Sequence, residues 1–172
     1  STIRLTGGGA MTVGANISGT SIELQGAGIT LGSGGLGGTL TANRVLLRTG
    51  GNFDPVSGTA GGPSIVQTAG TIETSQFSAS APGGDITLTA TGNTFGTIVA
   101  GADAGGAAAS AGIVAGGNVS LTTDGTLALN SPLLAGWDPA RTGVTVTLRA
   151  DQMTLGALVD TRGPGATNRQ AG

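Results

Sequence analysis

"GGNVSLTTDGTLALNSPLLAG", residues Gly116–Gly136, decides how this chain is read. Val119 and Leu121 alternate with Ser120 and Thr122, a Thr-Asp-Gly turn follows at Thr123–Gly125, and Leu127 and Leu129 alternate again. Apolar and polar residues in strict alternation mark a strand with one buried face. Asp-Gly reads as a corner, because aspartate bonds to nearby backbone donors and glycine accepts positive φ. Pro132-Leu133-Leu134 supplies a third short apolar segment. Short strands separated by corners make one coil of a parallel β-helix.

The same pattern recurs along the chain. Alternating segments begin at "TIRLT" (Thr2), "SIELQ" (Ser21), "GTLTA" (Gly38), "SIVQT" (Ser64), "DITLT" (Asp85), "NVSLT" (Asn118) and "VTVTL" (Val144). They lie roughly twenty to thirty residues apart, the range of a repeat architecture. A second aliphatic pair follows most of them: Ile29 and Leu31, Val45 and Leu47, Leu127 and Leu129, Met153 and Leu155. The expectation is all-β: a right-handed parallel β-helix of about seven coils, each of three short strands. Residues 1–172 form a single such segment, with loop insertions near 50–63, 101–112 and 136–143, where Gly and Pro cluster. Insertions at corners leave stacked strands in register. A coil cannot bury its apolar face alone, so the segment reads as a slice of a longer solenoid or as one capped by stacked neighbours.

Composition narrows the class further. The chain has 35 Gly, no Cys and no His, and its charged residues make up 9%. Seven basic and nine acidic residues leave a net charge of -2, without the cation cluster that phosphate backbones require. A hydrophobic fraction of 38% with so low a charge argues against disorder. Phe95–Gly117 is long enough for a membrane span, but Asp103 and its many glycines make it a poor one. No amino-terminal basic and apolar leader is visible in Ser1–Met11. An antiparallel sandwich would favour repeated Asn-Gly or Asp-Gly hairpins, and Asp124-Gly125 is the single case.

Three stretches, "GGDITLTATGN", "GGNVSLTTDGTLALNSPLLAG" and "VTLRADQMTLGALVDTRG", share a pattern of Gly-Gly-x-aliphatic-x-aliphatic-x, a Gly/Asp turn and a second aliphatic pair. In this they resemble the central shaft of filamentous-haemagglutinin-like exoproteins, the large adhesins exported by two-partner secretion. The likeness is clearest over Gly83–Gly163 and looser over Ser21–Thr49. It implies a secreted rod at the bacterial cell surface, serving as a stalk for adhesion or as a filament. The Asn-Pro-Asn-Gly-type motif of that family's secretion domain is not found in this chain.

Without His or Cys, the usual base, nucleophile partner and transition-metal ligands are missing, and no cofactor is expected. Paired carboxylates remain a route to sugar chemistry, as in a tailspike or lyase built on the same rod. The candidates are Glu23, Glu73, Asp85, Asp124, Asp151 and Asp160. Asp85 and Asp124 sit where aspartate commonly satisfies backbone donors. Asp151 and Asp160 alternate with Arg149 and Arg162, which reads as a solvated face of mutual ion pairs. Trp137, in "LLAGWDPARTG" with Asp138 and Arg141, is the candidate contact for a glycan or a partner protein. Its alternative role is to fold back and close a corner. The expected partners are further coils of the same kind and surface glycans or proteins, with no nucleic acid.

Overall fold

The computed structural model describes residues 1–49, 62–101, 110–138 and 140–162. Two of the expected insertions, near 50–63 and 101–112, lie mostly outside these residues. All regular structure among the described residues is β, without a helix. One sheet runs along β1 (Thr2–Thr6), β4 (Ser21–Gly26), β6 (Thr39–Thr49), β8 (Thr71–Ala81), β10 (Gly96–Ile98), β13 (Thr126–Leu129) and β16 (Gln152–Leu155). β3 (Ile17–Ser18) joins it on β6, and β11 (Ile113–Ala115), β14 (Leu133–Leu134) and β17 (Val159–Asp160) extend it from the second half of β8. The other sheet stacks β2 (Ala10–Val13), β5 (Gly28–Leu31), β7 (Ile65–Gln67), β9 (Ile86–Leu88), β12 (Val119–Thr122) and β15 (Val146–Arg149).

Every paired strand runs parallel to its neighbour. Parallel neighbours joined without a covering helix require the chain to circle back between sheets, which is a β-helix or solenoid-like fold. Backbone hydrogen bonds therefore run between windings even at corners: Gly32 N to Val13 O at 2.8 Å, Thr68 N to Leu31 O at 2.8 Å, Ala135 N to Asp160 O at 2.8 Å.

Register turns alternation into continuous apolar rows. Ile3, Ile22, Val45, Phe77, Ile98, Leu129 and Leu155 form one row. Leu5, Leu24, Leu47, Ala79, Ile113, Leu133 and Val159 form a second. In the other sheet Met11, Ile29, Ile65, Ile86, Val119 and Val146 stack likewise. Interior members of all three rows are at most 1% exposed, whereas the end members are not buried. Burying each aliphatic side chain contributes about 1.5–3 kcal/mol, so the rows supply most of the driving force. Phe77 and Phe95 are fully buried in the interior, with ring centroids 4.7 Å apart.

The alternating segments do not all mark the same face. "TIRLT" and "SIELQ" lie in the first sheet as β1 and β4, whereas "SIVQT", "DITLT", "NVSLT" and "VTVTL" lie in the second. "GTLTA" is the opening half of β6, which runs without a break to Thr49. A period of two is identical on every face of a prism, so alternation alone cannot assign one. At the corner before β6, Gly38 lies against the winding below, and a methyl there would collide with the Ala15 carbonyl.

The interior also holds a buried polar pair. Gln67 follows Leu31 in the inward row and is buried, as is Asn93. Their amides pair reciprocally, Gln67 Nε2 donating to Asn93 Oδ1 at 2.9 Å and Asn93 Nδ2 to Gln67 Oε1 at 2.8 Å. Asn93 Oδ1 also accepts from Ile72 N, and Gln67 Oε1 from Ala90 N. The remaining protons go to Gly70 O and Thr122 O. A saturated buried network of this kind fixes one register and penalises slippage. Gln67→Leu and Asn93→Leu each strand buried amide groups and should cost about 1–3 kcal/mol in urea unfolding. The double substitution should cost less than the sum of the singles; strict additivity would show that the pair is uncoupled.

Candidate functional site

The loop after β14 continues the ladder before it departs. Trp137 N donates to Ala115 O at 3.0 Å and Asp138 N to Gly116 O at 3.2 Å, which stitches the loop to the preceding winding. Side chains alternate across a strand, so Val114 and Leu134 point away from the interior that Ile113 and Leu133 face. Val114 and Leu134 stack in register, and Trp137 and Ala111 close over them as a small separate cluster. The indole is 5% exposed. Trp137 is folded back over the winding, packed on Val114 and Leu134. The reason is that strand alternation leaves two outward aliphatics needing cover.

Asp138 is fully buried. Its Oδ1 accepts from Ala140 N at 2.9 Å, and its carbonyl accepts from Arg141 N at 3.1 Å, so it shapes the turn that follows. Arg141 then reaches across windings, donating from Nη1 to Asp85 Oδ1 at 2.7 Å, with Nε 3.8 Å from Asp138 Oδ2. Gly117 lies beneath this pair, where a methyl would collide with both the Asp85 carboxylate and the Arg141 guanidinium. Trp137, Asp138 and Arg141 are thus brought together as a clasp that holds the loop to the stacked windings.

Asp85 belongs to a vertical column at the same corner. Asp85 N donates to Ser64 Oγ at 3.0 Å, Asn118 N to Asp85 Oδ1 at 2.8 Å, and Thr145 N to Asn118 Oδ1 at 2.8 Å. Each side chain caps the strand start of the next winding. The sequence signal for this column was the polar residue immediately before the aliphatic pair in "SIVQT", "DITLT" and "NVSLT". Arg141 lies 56 residues from Asp85, so no local pattern could couple them.

The other carboxylates lie in separate places. Glu23 accepts from Arg4 at 2.8 Å and faces Arg48 at 3.4 Å. Arg4 and Glu23 hold equivalent positions in "TIRLT" and "SIELQ", a pairing readable once the repeat is aligned. Asp151 accepts from Gly125 N at 3.0 Å, across the corner that exposed Asp124 forms. Asp160 is buried and accepts from Arg162 Nε at 3.0 Å. The expected face of mutual pairs among Arg149, Asp151, Asp160 and Arg162 therefore reduces to the Asp160–Arg162 pair, with Asp151 turned to backbone. Glu73 is exposed in a shallow groove with Thr41, Asn43, Ser75 and Thr94. Among the described residues no three carboxylates gather to hold a metal ion, and no helix is long and apolar enough to cross a membrane.

Trp137→Ala should lower stability by about 3 kcal/mol, as expected for a buried aromatic, read by thermal or urea unfolding. Arg141→Met should cost about 1 kcal/mol, since the Asp85 contact is partly solvated but Asp138 is left buried beside an apolar group. Unchanged stability in both variants would remove the clasp. Comparison with protein-family models, curated proteins and solved structures returns no match for this chain.

Proposed function

We propose that the chain is a non-catalytic shaft segment of a secreted bacterial surface adhesin or extracellular filament, acting by display and self-association. The observation that carries this reading is the set of apolar rows running unbroken from β1 to β16 and β17. Such rows make length itself the product: each winding adds about 4.8 Å of rise and repeats the same contacts. About seven coils of three short strands would span roughly 30–35 Å. Right-handed winding is favoured, because parallel crossovers take that hand in about 98% of cases. The surface supports the same reading. Polar side chains cap strand starts, clasp loops or pair locally, and the groove around Glu73 lacks the aromatic platform a sugar site would use.

Two experiments test it. The purified chain, assayed for reducing ends on a polysaccharide panel, should show no turnover. Turnover abolished by Asp124→Asn or Asp151→Asn would replace the shaft with a polysaccharide-cleaving β-helix. Excising Val119–Thr145, one register repeat, should leave a folded β protein, because β9, β10 and β11 would then meet β15, β16 and β17 in matching rows. An unfolded product by circular dichroism would show that windings are not interchangeable.

A further inference from the structure

We infer that the Asp124-Gly125 corner is a site of spontaneous isoaspartate formation, and that Asp151 of the next winding suppresses the reaction by holding the Gly125 N–H. The reaction needs a free carboxyl group, a following residue that leaves the approach open, and a backbone nitrogen able to turn toward the carboxyl carbon. The corner between β12 and β13 supplies the first two. Asp124 is exposed, and among the described residues its carboxylate takes part in no hydrogen bond or ion pair. Gly125 is exposed too, and a methyl built on it would meet nothing within 4 Å. This is the single Asp-Gly in the chain, no Asn-Gly occurs, and every other Asp precedes a residue that carries a side chain.

The step is a cyclisation that consumes no co-reactant beyond water. Gly125 N bonds to Asp124 Cγ, and the hydroxyl of the protonated carboxyl leaves with the amide proton as water, closing a succinimide. Water then reopens the ring. Addition at Cγ restores aspartate. Addition at the main-chain carbonyl carbon breaks its bond to Gly125 N and leaves the backbone running through Cβ and Cγ, one atom longer. On either side of this corner β12 is in register with β15 and β13 with β16, so the extra atom would act on both ladders.

The nitrogen is what the fold restrains. Gly125 N donates to Asp151 Oδ2 at 3.0 Å, and Gly125 O accepts from Asp151 N at 3.0 Å and from Gln152 N at 3.2 Å. On the other side Asp124 N donates to Asn93 O at 2.7 Å. Asp151 therefore grips both backbone groups of Gly125, a residue already set at φ +77. For Gly125 N to face Cγ, the peptide plane between Asp124 and Gly125 must rotate, which breaks a hydrogen bond to a charged acceptor.

Asp151→Ala tests the restraint, with isoaspartate at position 124 read by peptide mapping and by an isoaspartate-specific methyltransferase. The folded variant should accumulate it about fivefold faster than wild type, the ratio that a typical net hydrogen bond represents. Asp151→Asn keeps an acceptor oxygen and should fall nearer wild type. In urea, wild type and Asp151→Ala should react at one common, faster rate, because the next winding no longer holds the corner. Trp137→Ala, destabilised elsewhere, should leave the folded rate unchanged. Equal rates for folded wild type and Asp151→Ala, or a slower variant, overturn the restraint, as does a rise in Trp137→Ala equal to that in Asp151→Ala. Unfolded wild type with no more isoaspartate at position 124 than at its other Asp residues overturns the site.

Discussion

Everything in this molecule depends on the backbone hydrogen bonds that pass from one winding to the next. A parallel ladder without helical cover satisfies its donors and acceptors only against the turn above and the turn below. That requirement forces adjacent windings into one register. Register in turn decides which side chains are inside, since a one-residue slip would reverse every face. The buried rows through Val45, Phe77 and Leu129 and through Leu47, Ala79 and Leu133 are the consequence of this constraint. Their apolar contacts then hold the ladder closed.

The polar residues serve the same constraint from the outside and from within. Ser64, Asp85 and Asn118 each cap the first strand of the following winding, so the column guides one turn onto the next. The Gln67–Asn93 pair does this inside the core, where an unpaired amide would be costly and a paired one tolerates a single alignment. Loops are tied back by long-range contacts: Arg44 and Arg48 reach the carbonyls of Ala100 and Gly101, and Arg141 reaches Asp85. With seven arginines in the whole chain, those spent on loops and on Glu23 leave little charge for steering a partner.

Alternation at Val119, Leu121, Leu127 and Leu129, with Asp124-Gly125 between, was enough to read parallel β structure and its inward residues, because burial period and turn chemistry are local properties. Which sheet each segment joins was not legible: "SIELQ" and "DITLT" look alike, yet one is β4 and the other leads into β9. Nor could a lone tryptophan in a Gly-rich loop reveal that Val114 and Leu134 needed cover, since outward aliphatics become visible only once neighbouring windings are stacked. Sequence determined the strand, the corner and the inward face; tertiary structure decided the face assignment and the clasp at Arg141. The physical reason is range: alternation and turns act over a few residues, whereas register couples residues a full winding apart or more.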